Sequence, residues 1–436
     1  VKSILAALLF LIAHPCSSIP IGYGDCVLDS VKPAGDRDTL TFSGTSGDVV
    51  IVRMARISGD IAVRIEVYDP AWSSMADEWG IAYVSVDTLP LVSTGTHAIV
   101  ASDYTGFGTG PYGISLQRTF NPGGSSPIGY GATLEDSLTL VTEMNAYTFA
   151  ADSGDRVTAR MSWASGGILP YLRAFDPAGR MVAEDFSYPK PMIDTLLLES
   201  TGTYTLIACD QYGPWYGSYG LSLQRTFGPE GGDTIAYHYL VEDSITEISQ
   251  MKAYVFYGIQ WELIQARMYQ PTQGLTPYLE LYTPSGDKYA EDWGTIEAII
   301  GTILGSTGWF TILASDHTGP ERGGFLLEVQ GAGIAEHRQE RALRGTAKLL
   351  SCFPNPFAGS TVIEYAVALD EDAIVSVCDV AGRMVCTLAS GWHLAGEHVL
   401  PWDGRDDQGE RVPAGVYFVT VESGGIRRSE RMVHLR

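Results

Sequence analysis

Two recurrent groups of side chains could do chemistry. The first is acidic: Asp77-Glu78, Glu184-Asp185 and Glu291-Asp292, together with Asp103, Asp210 and Asp316 at the ends of apolar runs. If the two kinds of loop met at one end of a domain, their oxygens could converge on calcium, which takes six to eight oxygen ligands. The competing reading is a solvated acidic rim. The second group is aromatic and sits on glycine-rich loops: Tyr104, Phe107 and Tyr112 in one stretch, Tyr212, Trp215, Tyr216 and Tyr219 in another. Exposed rings on such loops can stack on sugars or fill a protein interface, or they can cap the end of a core. The third equivalent stretch, His317-Thr318-Gly319-Pro320-Glu321, has no aromatic residue.

Signals for catalysis are missing. The chain has no Gly-x-Ser-x-Gly elbow, no His-Glu-x-x-His, no phosphate-binding glycine loop and no Cys-x-x-Cys. The acidic pairs have the composition of a glycosidase pair, but no substrate cleft is legible around them. We therefore expect no enzyme, no catalytic residue and no cofactor other than the calcium considered above.

The elements that must position these residues are written three times. Arg53-Met54, Arg160-Met161 and Arg267-Met268 recur at a step of 107 positions, as do Ile21, Ile128 and Ile235. In the second copy Val157, Ala159 and Met161 alternate with Thr158, Arg160 and Ser162, the period of a strand with one buried face. Short strands, turn signals and the absence of helical periodicity predict an all-β chain of tandem antiparallel β-sandwiches: three jelly-roll-like copies and one immunoglobulin-like sandwich. Expected boundaries are 19–126, 127–233 and 234–333 for the copies, 334–350 for a linker and 351–436 for the last unit. The abundance of glycine (49), tyrosine (23) and tryptophan (9) suits this class.

Residues 1–18 read as an export signal, with Lys2 before an apolar run from Ile4 to Ala13 that is too short to span a bilayer. No later segment reads as a membrane-spanning helix. The formal net charge of −23 argues against nucleic acid and anionic membranes as partners. Cys378 and Cys386 flank a turn from Asp379 to Arg383, and alternation puts both on one face of a hairpin. A cross-strand disulfide and free thiols are both open there.

The copies resemble bacterial pre-peptidase C-terminal domains. The resemblance rests on the Tyr-x-Phe strand (Tyr147-Thr148-Phe149), the Gly-Asp turn (Gly47-Asp48, Gly154-Asp155), the Asp-Pro turn (Asp69-Pro70, Asp176-Pro177) and a Thr-Gly-Thr strand start (Thr94-Gly95-Thr96, Thr201-Gly202-Thr203). The third copy departs at the Gly-Asp turn, with Gln260-Trp261-Glu262. The resemblance implies an accessory sandwich of the kind found on secreted hydrolases, some of which bind calcium or matrix polymers.

The last unit carries Pro354-Asn355-Pro356-Phe357, a turn at Gly382, Trp402-Asp403-Gly404 and Gly415-Val416-Tyr417, then a basic end from Arg427 to Arg436. It resembles the FlgD-like immunoglobulin-like fold used as a type A sorting domain of type IX secretion. That resemblance implies handling by type IX-like machinery, passage across an outer membrane and a secreted or cell-surface address. The expected function is a non-enzymatic surface or secreted protein that binds or adheres to a polymer or protein. The alternative is an accessory subunit of a secreted hydrolase, or a hydrolase with an unrecognised site.

Overall fold

A computed structural model describes residues 18–271, 274–331, 348–367, 371–393, 396–423 and 426–435. The expected signal before Ser18 and most of the expected linker, 334–347, lie outside the described residues. Among the described residues every regular element is a strand, and no helix is long and apolar enough to cross a membrane.

Each copy is a pair of sheets. In the first, Ile19–Pro20, Arg37–Gly44, Gly95–Asp103, Val63–Tyr68 and Ser74–Gly80 form a five-stranded sheet in that spatial order. Cys26–Val31, Gly110–Arg118, Val49–Arg56 and Tyr83–Pro90 form a four-stranded sheet. The second and third copies repeat both orders. Pairing is antiparallel except at the two-residue strand that opens each copy, which runs parallel to its neighbour. The alternation places Val50, Val52 and Met54 in the core between the sheets, with Leu40, Phe42, Ile65, Ile99 and Leu116. Val157, Ala159 and Met161 do the same in the second copy, and Ile264, Ala266 and Met268 in the third.

The last unit packs a three-stranded sheet on a four-stranded one. Its first strand is Lys348–Phe353, which pairs from Lys348 with Ala366, so the end of the expected linker is already sheet. Trp402, Phe357 and Tyr417 meet edge to face in its core, with centroids 5.5 and 5.3 Å from Trp402. The Asn355 side chain joins the entry segment to the last strand, donating to Arg431 O at 2.7 Å and accepting from Val433 N at 2.8 Å. The Pro354 carbonyl accepts the Thr361 hydroxyl at 2.7 Å, and Pro356 leads directly into the buried Phe357 ring. The Tyr417 hydroxyl donates to Pro413 O at 2.7 Å, tying down the loop before the strand that starts at Gly415. Gly382 takes a φ of 78°, the left-handed turn conformation that disfavours a Cβ.

The hairpin corrects the expectation for Cys378 and Cys386. A register shift between Val377 and Cys378 opposes Cys386 to Val377 and Cys378 to Met384. Cys386 therefore joins the core with Val375 and Val377, while Cys378 points to the other face, because one extra residue in a strand reverses the side-chain sense. All five described cysteines are free thiols, and burial pushes the Cys386 and Cys352 thiols up to about 12.

Candidate functional site

The repeated arginine lies on the outer face of the four-stranded sheet, where it meets the next copy. Arg53 and Arg160 are 0% and 1% exposed. Arg53 donates from Nη2 to Asp210 O and, at 3.3 Å, to Gln211 O of the second copy, and from Nε to Tyr83 Oη at 2.9 Å. Arg160 donates to Ser315 Oγ of the third copy at 2.6 Å and forms an ion pair with Glu280, whose side chain is wholly buried. Around the first joint Ile51 packs with Met144, Ala146, Phe175, Ile207 and Cys209. Met251, Ala253, Tyr282 and Leu313 form the matching patch at the second.

Both joints reuse the same polar contacts. Ser115 donates to Thr142 O and Ser222 to Ser249 O, each at 2.6 Å. Thr119 donates to Gly179 O at 2.8 Å and Thr226 to Gly286 O at 2.7 Å. The copies are therefore stacked five-stranded face upon four-stranded face, as in a repeat array.

Both ends of the stack are altered. In the third copy Glu328 replaces the joint serine opposite the arginine, and Leu326 replaces Gly113 and Gly220. Arg267 is held within its own sheet by an ion pair with Glu297. The third copy thus lacks the serine and the glycine that the two joints use. In the first copy Arg37 and Thr39 take the places of Met144 and Ala146, so the outer five-stranded face is charged where the others are apolar.

That outer face carries a group of exposed rings. The Trp79 and Tyr104 rings stack at 4.1 Å with an interplanar angle of 7°, and they are 50% and 48% exposed. Phe107, on the loop that follows Tyr104, is 86% exposed. Arg64, opposite Trp79 across the ladder, grips Asp77 with two bonds of 2.8 and 2.7 Å. Trp79 directly follows the acidic pair Asp77-Glu78 in the sequence. An aromatic recurs at its position as Phe186 and Trp293, but Tyr104 is matched by Gln211 and His317, and the stack itself depends on strands far apart in the chain.

Tyr112 and Tyr219 do not belong among the exposed rings. Both are wholly buried, because they sit on inward positions of the strand that follows the loop. The Tyr112 hydroxyl donates to Asp38 at 2.8 Å, and that of Tyr219 lies 2.6 Å from Tyr147 Oη. Tyr212, Trp215 and Tyr216 are exposed on the second copy.

The acidic candidates do not converge. Asp77-Glu78, Glu184-Asp185 and Glu291-Asp292 lie on strands, where successive side chains point to opposite faces. Glu184 is bound by the Tyr171 hydroxyl, Glu291 by Lys288 and Tyr278, Asp185 by Met192 N and Asp292 by Ile299 N. Asp103 organises its own loop, accepting from Ala62 N, Thr105 Oγ1, Phe107 N and Gly108 N. Burial opposes its ionisation, but these donors more than offset that and hold the carboxyl below its usual range. Asp316 is held alike by Thr276 N and Thr318 Oγ1. Asp210 accepts from Leu169 N, but burial beside the joint dominates and raises its carboxyl.

Among the described residues no group of three or more His, Cys, Asp or Glu side chains is placed to hold a metal ion. With these oxygens already committed, millimolar calcium should leave the thermal unfolding midpoint unchanged. A calcium-dependent rise reversed by chelator would contradict that expectation.

Residues 355–425 match the FlgD Ig-like domain family. No curated protein matches the chain. Among solved structures, PorZ, described as an essential bacterial surface component of the type-IX secretion system of Porphyromonas gingivalis, is 22% identical over 29% of this chain and 15% of its own, with a TM-score of 0.16. A β-glucuronidase from Ruminococcus gnavus is 10% identical over 42% of this chain and 36% of its own, with a TM-score of 0.14. A β-galacturonidase from Eisenbergiella tayi is 11% identical over 42% and 35%, with a TM-score of 0.15. The chain thus spans well under two thirds of each of these proteins, and the likenesses are confined to parts of them.

Proposed function

We propose that this is an exported, non-enzymatic binding protein, held at the cell surface or released. In this reading the three stacked copies present a binding face, and the last unit is the address read by type IX-like secretion machinery. The observation that carries it is the match of 355–425 to the FlgD Ig-like domain, joined to the sorting-type motif at Pro354–Phe357, Trp402, Gly415 and Tyr417. These residues build a separate core, and the last strand, Ile426–His434, exposes Arg427 and Arg428. The acidic candidates are engaged in loop and strand contacts, which favours binding over hydrolysis.

Cell fractionation with intact-mass measurement in the native host tests the proposal. The expected species lies outside the outer membrane and lacks both the leader and the unit after about residue 350. A full-length species confined to the periplasm would refute it.

A further inference from the structure

The five-stranded outer face is built differently in the first copy than in the other two. In the second and third copies it receives the preceding copy through apolar patches built on Met144 and Met251. In the first copy the same positions are Arg37 and Thr39, and the face is a balanced network. Arg37 and Arg64 pair with Glu66, which is 7% exposed, and Arg64 also pairs with Asp77. Rings flank the network at both ends. Trp79 and Tyr104 stack beside Arg64, while Tyr68 donates to Glu66 at 3.0 Å and lies 5.5 Å from the Trp72 ring. Arg64 and Tyr68 are four residues apart on one strand, about 13 Å at the rise of an extended chain.

We propose that this face of the first copy binds a neutral glycan chain, with sugar rings on the Trp79–Tyr104 and Tyr68–Trp72 platforms and hydroxyls on the ion-paired groups between them. Three observations select that ligand. Flat rings present apolar faces to the C–H face of a sugar, and planar guanidinium and carboxylate groups make bidentate bonds to hydroxyl pairs. The two arginines are matched by two carboxylates, so no free cation anchors an anionic polymer, and a chain of net charge −23 repels one. The network also lacks the apolar patch by which the other copies bind protein.

The two platforms occur together only in the first copy, because Gly179 and Gly286 stand in the other copies where Trp72 stands. The second has Phe186 and Gln211 in place of the pair, and Arg53 of its neighbour occupies the Gln211 carbonyl. The third stacks Trp293 on His317 at 4.1 Å, but Lys190 of the second copy covers Tyr278 beside it, with Nζ 4.7 Å from the ring centroid.

The inference deepens the binding reading above, and its test is independent of cellular address. The full chain is run by affinity electrophoresis through gels containing β-glucan, xylan, mannan or, as the anionic comparison, alginate. Retardation is expected in at least one neutral gel and not in alginate. W79A/Y104A should weaken it about tenfold or more, W79F/Y104F should retain most of it, and W215A/Y216A on the second copy should leave it unchanged. Thermal melts check that each variant is folded. Free migration in all neutral gels, retardation only in alginate, or binding indifferent to W79A/Y104A would overturn the proposal. A surface-located chain with no glycan retention would remove this inference and leave the export reading intact.

Discussion

Arg160→Ala is expected to destabilise the joint between the second and third copies by about 3–5 kcal/mol, because it leaves the buried Glu280 carboxylate without its arginine. Glu280 is 0% exposed, and the partners left to it are Lys288 at 2.9 Å and the hydroxyls of Tyr278 and Tyr282. Those partners place the loss toward the lower part of the range. Replacing both charges, as in R160M/E280L, should recover most of the stability, since paired burial contributes little net energy over well-packed apolar groups. Arg53→Ala removes donors to carbonyl oxygens and no opposite charge, so a smaller loss of about 1.5–3 kcal/mol is expected at the first joint. Denaturant unfolding of the three variants measures this. Equal losses for R160A and R160M/E280L would show that packing, and not the stranded charge, governs the joint.

The second large effect is steric. A Cβ on Gly220 would sit 2.2 Å from Ile248 O and 2.6 Å from its carbonyl carbon, both backbone atoms of the third copy. Backbone cannot swing aside as a side chain can. Gly220→Leu should therefore separate the second and third copies or shift them apart, at a cost of about 3 kcal/mol. Proteolysis between the copies should become faster, and the chain should become longer in small-angle scattering. The third copy already carries leucine at this place, Leu326, on a face that meets no further copy. The reverse change there, Leu326→Gly, should cost only the about 1 kcal/mol of a glycine in a strand. An unchanged scattering profile for G220L would mean that the joint tolerates the side chain and that the end of the array is set elsewhere.

The same comparison shows what could be read in advance. Val157, Ala159 and Met161 announce their burial because a strand alternates with period two, and that signal is local. Tyr112 and Tyr219 are not legible in that way. They follow a glycine-rich loop, and the position where the strand resumes decides whether a ring is at the surface or in the core. Cys378 and Cys386 depend on one register shift, which no spacing announces. Trp402 and Tyr417 were legible as core because they are the large rings of a small sandwich.

The sequence by itself determined that the chain is all-β, that one sandwich is written three times, and that a different unit follows. Each of these rests on short-range periodicity or direct repetition. Only the tertiary structure decided what the repeated arginine does. Arg53, Arg160 and Arg267 stand beside identical methionines, yet the first meets backbone carbonyls, the second a buried glutamate and the third a glutamate of its own sheet. Their partners lie on other strands or in the next copy, and only strand pairing and stacking bring them together. The outer face of the first copy differs through residues that the repeat itself does not single out, Arg37 and Thr39 standing where the second copy has Met144 and Ala146.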